Sequence, residues 1–298
     1  IKDFSYFVNG NITFINNKVT KFKGNESAIT NADMIKEGYS INVQYGYVVD
    51  RIVQTQQDLD FVQQLVDNTP IDPSTGKPKK TFPSNRPELG DLLYKDLNGD
   101  GVINDDDRTI IGNGATPKCT FGVNLGGAYK GFDFSVMIYT KQGQWARSYF
   151  HDKYMKWSDR GNQHMAMDFY IPKGAPVIDH TTGDIVYATE THYGEYPYPN
   201  NSDTSAGGYF SDKGSAKGEG FQYQKTSFVK VKNICLGYTF PKKWITKAGL
   251  QHLRLYINVL NSFCFTDYDG FDPEWANAKL TDGGPASVTY QIGANIKF

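Results

Sequence analysis

One stretch of the chain carries the residue types that hold a hard divalent cation: Asp96-Leu97-Asn98-Gly99-Asp100-Gly101-Val102-Ile103-Asn104-Asp105-Asp106-Asp107. Calcium takes about six to eight oxygen ligands, and a loop supplies them from positions 1, 3, 5, 7, 9 and 12 with glycine at 6. Those positions fall on Asp96, Asn98, Asp100, the Val102 carbonyl, Asn104 and Asp107, with Gly101 at the turn. Position 12 is Asp where Glu is usual, so the last arm is shorter. Asp96, Asp100 and Asp107 crowd carboxylates into one turn, and a divalent ion would offset their repulsion. The expectation is a structural calcium ion that stiffens the loop, with Ile103 packing inward. The competing reading is an Asx-rich surface turn without metal.

Other chemistry is poorly supported. Ser227-Phe228-Val229-Lys230 fits S-x-x-K, but on a strand Ser and Lys point to opposite faces, and no S-D-N or K-T-G accompanies them. The five His include no H-E-x-x-H pair. Cys119, Cys235 and Cys264 are odd in number and far apart, which suits neither a disulfide framework nor a zinc ribbon. No fixed carboxylate pair marks a glycosidase, so no catalytic residue is assigned. A net charge of -1 gives no basic field for nucleic acid. Trp145, Tyr149, Tyr154 and Trp157 share one long loop, where they could stack on a sugar, bury against a partner, or pack locally.

Strands must position all of this. Val288, Tyr290, Ile292, Ala294, Ile296 and Phe298 alternate with Thr289, Gln291, Gly293, Asn295 and Lys297. Period two with one greasy face is a strand, and its length is near the roughly 9–11 residues that cross a membrane at a tilt. Phe121, Val123, Leu125 and Tyr129, then Phe132, Phe134, Val136 and Ile138, form a hairpin about Lys130-Gly131. Phe228 to Phe240 slips phase near Lys232-Asn233, which predicts a bulge. Leu253, Leu255, Ile257 and Val259 alternate after a short link that can hold one or two helical turns. Ser5 to Ile15 and Tyr39 to Val53 are further strand candidates, for about seven strands in all. The lipid-facing set would include Phe132, Phe134, Ile234, Leu236, Leu253, Leu255, Tyr290 and Ile292.

The connections alternate between short and long, except that Asn16 to Gly38 is intermediate. Lys130-Gly131 and Pro241 to Leu250 are short. Gln54 to Lys118, Gln142 to Thr226 and Thr266 to Ser287 are long and polar. Counted back from the C-terminus, every long loop falls on one side, as in an outer-membrane barrel. Aromatics at 14%, with 20 Tyr and 19 Phe, also suit such a barrel. No apolar run reaches the roughly 20 residues of a membrane helix. The alternative is a secreted calcium-binding β-sandwich that binds glycans through aromatic loops. A carbohydrate-active enzyme comes third.

Several segments resemble the C-terminal region of SusC/RagA-like TonB-dependent transporters. Gly90-Asp91-Leu92-Leu93-Tyr94-Lys95-Asp96-Leu97-Asn98-Gly99-Asp100-Gly101 is similar to their G-D-x-x-Y-x-D-x-N-G-D-G stretch. Glu37-Gly38-Tyr39-Ser40-Ile41, Ser227 to Ile234, Leu236-Gly237-Tyr238 and Gly270-Phe271-Asp272-Pro273-Glu274 follow in family order. Gly283-Gly284-Pro285-Ala286-Ser287 departs from the family's P-R-T-Y approach to the last strand.

The resemblance implies an all-β, antiparallel transmembrane β-barrel, of which residues 1–298 would be roughly the last seven strands of a 22-stranded whole. It implies import of oligosaccharides or peptides at the outer membrane of a Gram-negative, Bacteroidota-like cell, without covalent chemistry. The implied partners are a SusD/RagB-like surface lipoprotein lid, TonB acting through a plug, the rest of the same barrel, and outer-membrane lipid. The chain starts at Ile1 and lacks plug and TonB box, so a portion of a longer protein is expected. A terminal Phe298 would serve as the assembly signal read by the barrel-insertion machinery.

Overall fold

Alternation along the chain builds one antiparallel sheet of six strands in the computed structural model. The described residues are 4–22, 33–41, 43–83, 85–114, 116–147, 168–179, 181–198, 223–276 and 286–298. The strands are β1 Phe4–Phe14, β2 Cys119–Tyr129, β3 Phe132–Gln142, β4 Phe228–Thr239, β5 His252–Thr266 and β6 Thr289–Lys297. Each pairs with its neighbour in this order, so β1 and β6 form the two edges.

Register puts the apolar set on one face. One row runs Tyr6, Gly127, Phe134, Leu236, Ile257 and Ile292 across the six strands. The next runs Val8, Leu125, Val136, Ile234, Val259 and Tyr290. Tyr6 is 76% exposed, Ile292 85% and Leu236 53%. A sandwich would bury this face under a second sheet; among the described residues nothing covers it. An apolar face left bare is the outer wall of a membrane barrel. All eight residues of the expected lipid-facing set are exposed or half-buried.

The other face is polar and fitted with glycines. A Cβ on Gly126 would strike the Phe7 ring, one on Gly237 the Arg254 guanidinium, and one on Gly293 the Tyr256 ring. In each case a long side chain lies flat over a neighbouring strand.

The expected bulge is present: β4 shifts register between Val231 and Asn233 against both β3 and β5. Past it, Val229 and Val231 continue the outer face while Phe228 and Lys230 turn inward and are buried. The β2–β3 turn places Lys130 at φ 47° and Gly131 at φ 90°, the two positive dihedrals of a tight hairpin. The β4–β5 link holds the short helical turns Lys242–Ile245 and Thr246–Ala248. All three long connections leave the opposite end of the sheet.

One expectation is corrected. Tyr39 to Val53 is not a wall strand. It breaks into Val43–Gly46, paired with Thr109–Gly112, and Val49–Ile52, paired with Leu92–Tyr94. Tyr47, Val49, Ile52 and Val53 belong to a separate core, so the sheet has six strands among the described residues, not seven. That core contains Tyr47, Val53, Val62, Leu92, Leu93, Ile103, Phe169 and Tyr196. A helix the strand reading missed, Gln56–Asp67, supplies Val62. Its capping box, Thr55 with Asp58, was legible as T-x-x-D before an apolar run. The described parts of the long first and second connections therefore fold together as an outer cap.

Candidate functional site

The 96–107 loop hangs from the cap strand Leu92–Tyr94 and is closed by hydrogen bonds from backbone N–H groups to its own side chains. Asp96 accepts from Gly99 at 2.6 Å and from Gly101 at 2.8 Å. Asn98 Oδ1 accepts from Asp100 N at 2.8 Å, and Asp100 Oδ1 from Val102 N at 2.9 Å. Gly99 and Gly101 adopt φ of 75° and 78°, which a side chain would strain. Ile103 is buried in the cap core, as expected.

Asp107 acts as a clasp. It is fully buried; Oδ1 accepts from Leu97 N at 2.8 Å and Asn98 N at 3.3 Å, and Oδ2 from Asn104 N at 2.8 Å. Two bonds fill the lone pairs of Oδ1. Asn104 and Asp107 cap the Asp105–Asp107 turn reciprocally. Among the described residues, no three His, Cys, Asp or Glu side chains converge as a metal-holding group. Asp96 and Asp100 keep acceptor capacity for a cation, whereas Asp107 has spent much of its own.

Beside the loop, a cleft of about 380 Å³ opens among Tyr47, Lys80, Phe82, Ile103, Asp105 and Arg108. The Tyr47 hydroxyl donates to Asp105 Oδ1 at 2.9 Å. The Arg108 guanidinium lies 5.2 Å from the Tyr45 ring centre and 5.6 Å from that of Tyr47.

Trp145 falls in a short strand, Trp145–Arg147, paired with Tyr223–Lys225. Its ring covers Gly112 so closely that a Cβ there would clash, a packing role. Tyr149, Tyr154 and Trp157 lie outside the described residues. Phe298 is 80% exposed, one residue beyond β6.

Sequence reasoning missed an ion cluster at the top of the wall. Lys230 donates to Asp272 at 2.5 Å and to Glu274 at 2.9 Å, and Lys232 donates to Glu274 at 2.7 Å. The Lys230 and Asp272 side chains are only 3% and 4% exposed. The signal was present: two Lys spaced by two on a strand, and two carboxylates spaced by two in a loop. The cluster pins the start of the third long connection to β4. Burial raises the Glu274 carboxyl, but bonds from Lys232 and Lys230 outweigh it, so the group sits below the ordinary value. Gln224 and Asp269 exchange hydrogen bonds at 3.3 Å, tying the second connection to the third. Burial first, then Asp269, pushes the Tyr196 phenol upward in the same region. Nothing in this constellation resembles a nucleophile with its base. The geometry suits binding and anchoring.

No family model matches the chain. Several known proteins do resemble it. TonB-dependent receptor SusC of Bacteroides thetaiotaomicron is 24% identical over 305 residues, covering 100% of this chain and 25% of that protein. TonB-dependent receptor P3 of Formosa agariphila is 29% identical over 221 residues, 70% of this chain and 19% of its own length. Among solved structures, that of the RagAB peptide transporter superposes with a TM-score of 0.58 at 18% identity, over 100% of this chain and 28% of that one. The chain thus spans between 19% and 28% of the length of these relatives.

Proposed function

Because the chain is SusC/RagA-like in sequence and fold, we propose that it forms the closing wall and part of the outer cap of an outer-membrane TonB-dependent importer. The observation that carries this is the six-stranded sheet with one bare apolar face and two unpaired edges. In lipid, strand backbones are satisfied only in a closed barrel, so both edges call for further strands. The relatives, about four times longer, support the same reading: the remaining strands and a plug lie elsewhere in a longer protein. TonB would act through that plug.

The cargo class is an oligosaccharide or a peptide, and a surface lipoprotein of the SusD/RagB kind would close over the cap. The kinship of SusC and the RagAB neighbours supports the lid. The work is binding and passage, with no bond made or broken. Calcium at 96–107 is part of the proposal, supported by the ligand types and by the acceptors left on Asp96 and Asp100. Phe298 as an assembly signal is supported by its place beyond an alternating final strand.

The test uses the full-length protein in its host. Envelope fractionation should place it in the outer membrane, and labelled oligosaccharide or peptide uptake should stop when TonB is deleted. A protein recovered free of membrane, or uptake unchanged without TonB, overturns the reading.

A further inference from the structure

The cleft in the outer cap presents hydrogen-bond donors and an acceptor side by side over an apolar floor. Phe82, Pro83 and Ile103 make the floor. Lys80 stands on one rim and donates once, to the Pro83 carbonyl at 2.8 Å, which leaves two of its three N–H donors to spare. Asn104 spends Oδ1 on the Asp106 N–H at 2.7 Å, leaving its amide donors. Asp105 accepts from Tyr47 through Oδ1, and among the described residues Oδ2 has no such bond. Its side chain is 81% exposed, while that of Arg108, at 3.9 Å, is only 8% exposed.

We propose that this cleft is a binding subsite for a single sugar ring. A ring hydroxyl both donates and accepts, so vicinal hydroxyls satisfy Lys80, Asn104 and Asp105 together, while the ring's C–H face covers Pro83, with the edge of the nearly buried Phe82 beneath. A phosphate would meet the Asp105 carboxylate, and a cation would meet Lys80 and Arg108; a neutral polyol avoids both conflicts. The polar groups are held before any ligand arrives. Tyr47 fixes Asp105, and the capping box of the Asp105–Asp107 turn fixes Asn104. Such preorganisation reduces the ordering cost of binding. At about 380 Å³ the cleft is at the small end of ligand pockets, which run to roughly 1,000 Å³, so it suits one ring rather than a folded oligomer. The ligand's source, a glycan arriving for import, rests on the function proposed above; the binding itself does not.

The experiment uses the full-length protein purified in detergent, with saturation-transfer NMR and calorimetry against maltose, cellobiose, mannobiose, galactobiose and a neutral tripeptide. At least one disaccharide should bind in the millimolar range or tighter, with saturation transfer strongest to C–H protons of one ring. Lys80→Gln and Asp105→Ala should each weaken it about tenfold or more, the loss of one charged hydrogen bond. Tyr187→Ala, on an exposed cap hairpin, should bind as wild type. Circular dichroism and heat-modifiability confirm that each variant is folded. The proposal is overturned if no disaccharide binds, if both cleft variants bind as wild type, or if only the tripeptide binds. Binding is read without TonB, so failed uptake would leave this result standing.

Discussion

The Arg254 guanidinium on β5 reaches over β4 to the Asp133 carboxylate on β3, donating from Nε at 2.9 Å and from Nη2 at 2.5 Å. β4 contributes Gly237 under the crossing, where any Cβ would strike the guanidinium. Three strands are thus stapled by one pair. The side chains are 21% and 32% exposed, so the pair is intermediate between surface and buried. Arg254→Met should cost about 1–3 kcal/mol. Gly237→Ala should cause a comparable loss with both charges still present. Urea unfolding of the refolded full-length barrel measures both, and an unaffected Gly237→Ala protein would show that the crossing is dispensable.

Lys230 and Asp272 are buried, so breaking their pair should cost more. Lys230→Met leaves Asp272 uncompensated, a loss of roughly 3–5 kcal/mol. Lys230→Met with Asp272→Leu should recover much of it, because Glu274 keeps Lys232 at 2.7 Å. The cluster also predicts acid sensitivity. Glu274 is depressed below the ordinary 4.5. Its contribution is therefore fully present above that pH and is lost as pH falls through its lower folded value. Hydrogen exchange of residues 267–276 should rise in that acid window in wild type. A flat profile would remove Glu274 from the anchor.

The outward row sets up a matched pair of substitutions. Ile292→Arg places a charge on the apolar face, and Gln291→Arg places the same charge on the polar face one residue away. The first should destabilise the barrel by about 2–4 kcal/mol and the second far less. Equal effects in lipid vesicles would contradict the assignment of faces.

At the 96–107 loop, calcium titration of the full-length protein should show saturable binding that Asp96→Ala with Asp100→Ala abolishes. The wall should keep its heat-modifiability, since Asp107 closes the loop from within. Identical calorimetric traces for wild type and double variant would leave the loop a metal-free turn.

Deleting Phe298 should lower outer-membrane levels of the full-length protein, because assembly would lose its terminal aromatic. The measurement is an immunoblot of fractionated envelopes. Unchanged levels and gel mobility would count against it.

The wall was legible because lipid and water divide its faces at every residue, so period two survives in the sequence of β2, β3, β5 and β6. Even the bulge at Lys232 announced itself as a change of phase. The cap was not legible in the same way. Tyr47, Val49 and Val53 share one parity as in a wall strand, but their core is local and built from several short pieces. The Gln56–Asp67 helix shows in the sequence chiefly through its Thr55 and Asp58 cap. The calcium pattern located a real turn through Asp96, Gly101 and Ile103, but spacing could not reveal that Asp107 bonds three backbone amides. The Lys230 cluster joins residues some forty positions apart, a pairing that only the folded third connection brings about.

The glycines of the polar face also govern clearance. Phe7, Arg254 and Tyr256 are long enough to stand out from the wall, yet each reclines into the space a missing Cβ leaves on the adjacent strand. At these three places the relief of the polar face is set by residues that have no side chain at all. An alanine at Gly293 meets only the Tyr256 side chain and would lift that ring off the wall. The strands would keep their register and the polar face alone would thicken, leaving the apolar face as it was.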